Sequence, residues 1–199
     1  MQSPLKIILS HFNSPDLGKA WHHYFRFEED VEIIEGDIFQ LDCDAIVSPG
    51  NSFGFMDGGL DLAISKKMGW GIQTELRKRI SELPMKELLI GQAETVKAEK
   101  SDQYVICAPT MRVPSGESIP ESVNAYLATK AILLECLQNE NIRSVAIPGL
   151  CTGTGKMLPP VAANQMFMAY SELIKHLIPE FPTFMDARNY QNKMKRASF

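Results

Sequence analysis

Two glycine-rich stretches, each entered from a short apolar run, constrain this chain more than any other feature. The first runs from Gly36-Asp37-Ile38 through Asp44-Ala45-Ile46-Val47-Ser48 to Gly58-Gly59-Leu60-Asp61, with five glycines between positions 36 and 59. The second is Pro148-Gly149-Leu150-Cys151-Thr152-Gly153-Thr154-Gly155-Lys156. Bare backbone after a buried strand lets another molecule approach the main chain closely, and α/β sheets bind their ligands at strand carboxyl ends. Gly58-Gly59 leads straight into a helical pattern, so amides backed by the helix dipole are free to face an anion. In the second stretch, consecutive amides and the Thr152 and Thr154 hydroxyls suit an oxyanion nest. Both stretches ask for phosphate. The second is not a P-loop, because Gly149 to Gly155 is one residue too long and Met157 stands where a magnesium-binding hydroxyl belongs.

Periodicity reads as strands alternating with helices, which predicts a sheet with parallel members covered by helices on both faces. Strands are expected at 5–9, 31–35, 45–48, 94–97, 104–108 and 144–148. Helices are expected from Ser14-Pro15, over 63–68 and 72–83, over 122–139 and over 161–177. Ser14 is expected to cap the first, with Pro15 in a first-turn position that needs no amide donor. The segment after Pro182 is read as an edge strand at 183–185 followed by a basic helix or coil. No linker, repeat or low-complexity tract divides the 199 residues, so one domain over 1–199 is expected.

Charge and cysteine usage remove several function classes. Twenty basic against 24 acidic residues give a formal charge of -4, which offers no broad field for a phosphate polymer, and Lys193, Lys195 and Arg196 read as a solvated terminus. Nucleic acid is therefore not an expected partner. Cys43, Cys107, Cys136 and Cys151 show no C-x-x-C pairing and no zinc-ligand spacing, and adjacent His22 and His23 diverge around a helix axis. Neither a metal nor a cofactor is expected. Reduced thiols and the lack of a long apolar run point to a cytoplasmic protein without a membrane span.

The order of these motifs resembles the macro domain, whose pattern runs G-D-I, then D-A-I-V-N-A-A-N, then G-G-G-V-D-x-A-I, and later P-x-x-S-T-G-x-x-G. The matching pieces are Gly36-Asp37-Ile38, Asp44-Ala45-Ile46-Val47, Asn51, Gly58-Gly59-Leu60-Asp61 with Ala63-Ile64, and Pro148 to Gly155. Between Gly36 and Ile64 the spacing agrees without a gap, and the likeness extends over about residues 31–175. It leaves 1–30 as an extra strand and helix and 180–199 as a C-terminal extension.

The resemblance implies a three-layer α/β/α sandwich around a mixed, largely parallel sheet, and a pocket for ADP-ribose or an ADP-ribose derivative. Carried over by position, Asp37 accepts the adenine amino group and the Ile38 amide adds a hydrogen bond. Gly58, Gly59 and Leu60 approach the diphosphate from one side, and Cys151, Thr152, Gly153, Thr154 and Gly155 from the other. Asn51 holds the distal ribose, and Asp61 falls where deacylating members place their acidic residue. Departures are Ser48 for the first asparagine, Pro49-Gly50 for the two alanines, Asp57 for the first glycine of the triplet, and Cys151 for the usual serine. Lys156 follows the second loop, where it is placed to meet a terminal phosphate. Three functions follow in order of expectation. They are a binding module for ADP-ribose or an ADP-ribosylated protein, a hydrolase or O-acetyl-ADP-ribose deacetylase using Asp61 with Asn51, and an ADP-ribose 1″-phosphate phosphatase using Lys156.

Overall fold

A computed structural model describes residues 5–114 and 119–196; residues 1–4 and 197–199, counted in the expected domain, lie outside the described residues. In chain order the elements are β1 (Lys6–His11), α1 (Pro15–Phe25), β2 (Val31–Glu35), β3 (Ala45–Ser48), α2 (Gly59–Met68), α3 (Gly71–Glu82), β4 (Glu94–Lys97), β5 (Tyr104–Cys107), α4 (Asn124–Gln138), β6 (Ser144–Ile147), α5 (Pro159–Leu173) and α6 (Phe184–Met194). Six strands form one sheet in the order β2-β1-β6-β3-β5-β4. All neighbours run parallel except the β4–β5 pair.

Residues of a strand point alternately to opposite faces of the sheet, and here that alternation divides the interior into two cores. Ile7, Leu9, Ala45, Val47, Ile106, Val145 and Ile147 face one side, where Trp21 of α1, Ile132 of α4 and Met166 of α5 cover them. Ile8, Ile46, Val105, Cys107 and Ala146 face the other, under Ile64 of α2 and Ile72 and Leu76 of α3. The four central strands β1, β6, β3 and β5 carry apolar residues on both faces because each is covered on both. The three expected layers are present, and no helix among the described residues is long and apolar enough to cross a membrane.

Local chemistry departs from expectation at one helix cap and at two boundaries. Ser14 does not cap α1 through its hydroxyl; instead its carbonyl accepts from the amides of Leu17 and Gly18. The helix over α5 stops at Leu173, because His176 takes a φ of 56° and the Leu177 amide turns back to the Ser171 carbonyl. The expected edge strand at 183–185 is the start of α6. Thr183 and Asp186 form a reciprocal capping box, with the Thr183 amide donating to the Asp186 carboxylate at 3.0 Å. A β-branched Thr next to Phe and Met reads as strand, but a T-x-x-D start satisfies two helix-end donors at once and decides the conformation. Buried Glu172 then ties α6 to the domain, accepting from Tyr126 of α4 at 2.8 Å, from Tyr190 of α6 at 2.6 Å and from Lys130 at 2.8 Å.

β6 is inserted between β1 and β3, and its pairing with β3 is short, Ala45 opposite Val145 and Ile46 opposite Ala146. Asp44 locks that junction. One of its carboxylate oxygens accepts from the amides of Arg143 and Ser144, each at 2.8 Å, and from the Ser144 hydroxyl at 2.9 Å. Hydrogen bonds to a charged group contribute about 1.5–3 kcal/mol, so Asp44→Ala is expected to lower unfolding free energy by about 2 kcal/mol in urea denaturation. A loss below about 0.5 kcal/mol, the size of an ordinary surface change, would remove Asp44 from this role.

Candidate functional site

The carboxyl ends of the five parallel strands lie along one edge of the sheet, and a two-lobed cleft opens there. The first lobe, about 650 Å³, sits over β1, β2 and β6 and is lined by Ser10, His11, Asp37, Ile38 and Pro148, among others. The second, about 700 Å³, sits over β3, β5 and β6 and is lined by Asn51, Asp57, Asp61, Thr110 and Cys151, among others. Leu60, Gly149 and Gly153 line both. The start of α2 and the loop after β6 are therefore brought together where the lobes meet.

At that meeting point main-chain amides are left over. The first intrahelical bond of α2 runs from the Leu62 amide to the Gly58 carbonyl at 3.1 Å, so the amides of Gly59, Leu60 and Asp61 have no place in the helical ladder. A Cβ built on Gly58, Gly59 or Gly153 would meet nothing within 4 Å, so these glycines border open space. Gly149 and Gly155 are different in kind. A Cβ on Gly149 would fall 2.6 Å from Leu17 and Thr152 side-chain atoms, and one on Gly155 would fall 2.6 Å from the Cys151 carbonyl. All three glycines of the second loop line the cleft, but only Gly153 has room there for a side chain; Gly149 and Gly155 let the loop fold tightly. Cys151 (φ 62°) and Lys156 (φ 52°) supply its two left-handed turns.

The loop between β3 and α2 is held stiffly. Asn51 spends its side chain on this loop, donating from Nδ2 to the Phe55 carbonyl at 2.7 Å and accepting from the Phe53 amide at 3.1 Å and the Phe55 amide at 3.3 Å. Buried Met56 pins the far end, where Gln73 takes its amide and the Ser65 hydroxyl donates to its carbonyl. Phe53 and Phe55 lie under the guanidinium groups of Arg112 and Arg77. Asp37 caps a 3-10 turn over Ile38–Gln40 by accepting from the Phe39 amide at 3.1 Å.

Asp61, in the first turn of α2, accepts from the Ser48 hydroxyl at 2.6 Å. Burial pushes its carboxyl above the usual carboxylate range; the Ser48 hydrogen bond opposes that shift and the Asp57 charge adds to it. Ser48 was legible in the sequence only as a missing asparagine, and the structure makes it the hydroxyl that orients Asp61. Burial pushes the Cys151 thiol up to about 12, so it is protonated at neutral pH and is no nucleophile. Lys156 lies outside the lining of both lobes. His11, Phe12, Lys66 and Lys67 line the first lobe without having been singled out, as do Thr110, Met111 and Val113 in the second. None of these belongs to a glycine-rich motif. Their one signal is a position at or just past a strand end, or on the cleft side of α2.

A carboxyl whose pKa is raised by folding favours the folded protein while protonated. That contribution is complete below its unfolded value near 3.8 and is lost as pH rises through the folded value. Asp61→Asn removes the loss, so the melting temperature of the variant relative to the unchanged protein is expected to rise between about pH 4 and about pH 7. Thermal denaturation at both pH values checks this, and a flat or falling difference refutes it.

The macro domain model matches residues 47–166. An uncharacterized protein of Aquifex aeolicus is 36% identical over 137 residues, which span 69% of this chain and 78% of that protein. Among solved structures, the DarG macrodomain of Mycobacterium tuberculosis superposes with a TM-score of 0.57 at 22% identity, covering 70% of this chain and 88% of that one. The Oceanobacillus iheyensis macrodomain with ADP superposes with a TM-score of 0.59 at 19% identity, covering 80% of this chain and 87% of that one, and a variant of it with ADPR gives 0.58. The family match takes in α2 and the loops after β3, β5 and β6, which line the second lobe and the ridge, and it spans more than half of the chain; on that ground the chain belongs to the macro domain family.

Proposed function

We propose that this protein binds ADP-ribose or an ADP-ribose derivative, with the adenosine in the first lobe, the diphosphate across the ridge and the distal ribose in the second. The observation that carries this reading is the convergence of the α2 start and the 149–155 loop between two lobes of similar size. A ligand with a charged middle and two bulky ends matches that shape. The amides of Gly59, Leu60 and Asp61 are donors at a helix N-terminus, where the dipole favours anionic oxygen. The Oceanobacillus iheyensis macrodomain, with ADP and as a variant with ADPR, supports the same class of ligand.

Charge sets the direction in which the ligand lies. The first lobe holds Lys66 and Lys67 beside Asp37, whereas the second holds Asp57 and Asp61. A terminal phosphate in the second lobe would meet two carboxylates, which disfavours the phosphatase reading, and Lys156 lines neither lobe. A neutral ribose carrying an ester or a glycosidic bond meets no such penalty.

Hydrolysis is the second reading, favoured by one observation: Asp61 lines the distal lobe with its carboxylate fixed by Ser48 at 2.6 Å. A carboxyl whose pKa is raised by burial is a stronger base, and within reach of a ribose it suits general base work or the positioning of a water. Asn51 would serve there by stiffening the loop, since its side-chain bonds go to Phe53 and Phe55.

Two measurements test these readings. In calorimetry, saturable binding of ADP-ribose is expected, weakened in Asp37→Asn by about 1.5–3 kcal/mol. Asparagine keeps an acceptor for the Phe39 amide, so the turn survives while an amide donor replaces the carboxylate oxygen facing the adenine amino group. Unchanged affinity would break the adenine assignment. Turnover of O-acetyl-ADP-ribose is expected to fall by at least about a hundredfold in Asp61→Ala, the scale of a lost general base. Equal rates would remove Asp61 from catalysis.

A further inference from the structure

One wall of the first lobe is a single row of side chains on α2. Leu60, Ala63, Lys66 and Lys67 recur at the three- and four-residue spacing of one helical face, and all four line the lobe, whereas Ile64, Ser65 and Met68 are buried on the other side of the helix. The row changes character with distance from the ridge. Leu60 stands at the ridge, where it lines both lobes. At the rise of an α-helix, Lys66 and Lys67 follow about 9 Å and about 10 Å farther along the axis.

Both lysines are exposed, and neither forms an ion pair among the described residues. A basic last turn complements the dipole of any helix, but here the two cations also wall a cavity that an anion can enter. Among the described residues of that lobe Asp37 is the one acidic side chain, and it already accepts from the Phe39 amide. The first lobe therefore carries two lysines against one carboxylate. The second carries Asp57 and Asp61 with no lysine or arginine among its described lining. The cationic excess is local, since the chain as a whole has a formal charge of -4.

An adenosine that lies in this lobe with its 5′-phosphate at the ridge has two hydroxyls left to carry another phosphoryl group, the 2′ and 3′ hydroxyls of its ribose. A phosphomonoester there carries a charge of about -1.5 to -2 and three acceptor oxygens, enough for two ammonium groups to share. Dinucleotide sites on other folds tell a phosphorylated adenosine ribose from a plain one by the same means, setting a cation where a carboxylate would read the free hydroxyl. We infer that Lys66 and Lys67 form a subsite for a phosphomonoester on the adenosine ribose, so that the first lobe selects an ADP-ribose bearing a 2′ or 3′ phosphate over ADP-ribose itself. The inference deepens the proposed function and rests on the adenosine occupying the first lobe.

The test is calorimetry with AMP, adenosine 2′,5′-bisphosphate, adenosine 3′,5′-bisphosphate and ADP-ribose as probes, and the unliganded melting temperature as the folding control. One of the two bisphosphates is expected to bind at least about tenfold more tightly than AMP, the scale of a charge-assisted hydrogen bond, and which of them does so tells the 2′ ester from the 3′. Lys66→Gln combined with Lys67→Gln is expected to keep its melting temperature, since both side chains are exposed, to bind that bisphosphate no better than AMP, and to hold ADP-ribose within about threefold of the unchanged protein. Arginine at both positions is expected to keep the preference, because the charge remains. Equal binding of AMP and both bisphosphates, with ADP-ribose bound, overturns the subsite and leaves the proposed function standing. A preference that survives in the glutamine variant, or a loss there that falls on all four probes alike, also overturns it. A lysine-dependent preference without binding of ADP-ribose upholds the subsite and refutes the proposed function. Failure of the unchanged protein to bind any probe overturns both.

Discussion

The whole cleft depends on β6 lying between β1 and β3 with its carboxyl end at the same edge as theirs. A parallel strand inserted there delivers its loop to the middle of the cleft, where it becomes the ridge between two cavities. The contact with β3 is only two residue pairs long, and the Asp44 carboxylate reinforces it by gathering three donors from the start of β6. Displacing β6 would take Pro148 and Gly149 from the first lobe and Cys151, Gly153 and Gly155 from the second in one movement.

Around that ridge the protein combines stiff loops with unfilled donors. Asn51, Gln73 and Ser65 satisfy the loop before α2 internally, so little further ordering is left to accompany binding. The amides of Gly59, Leu60 and Asp61 cannot be satisfied within the helix and stay available. Donors already fixed in place reduce the entropy lost when a ligand is held. Asp61 joins the two regions, offering its amide at the helix start and its carboxylate, fixed by Ser48, to the distal lobe.

Much of this was legible because the informative residues are close in sequence. The alternation of strands and helices, the two glycine stretches and the spacing from Gly36 to Ile64 are local patterns, and each has a local physical cause. The expected strand at 183–185 shows where local pattern misleads, since the partnership of Thr183 with Asp186 three residues on makes it a helix start. Ser48 shows a second limit. A serine in place of an asparagine reads as a loss until the fold brings its hydroxyl to 2.6 Å from a carboxylate thirteen residues away.

Sequence alone determined the layered α/β class, the two glycine-rich stretches and the candidate carboxylates, because periodicity, glycine placement and charge act over a few residues. Tertiary structure alone decided that the loops meet at one ridge, that Gly149 and Gly155 pack while Gly58, Gly59 and Gly153 border open space, and that Lys156 stays outside the cleft. It also decided that His11 and Phe12, far from either motif, line the first lobe. Strand order is the physical reason. Which carboxyl ends become neighbours is settled when the sheet assembles, by pairings between residues about a hundred positions apart, and no short pattern records that outcome.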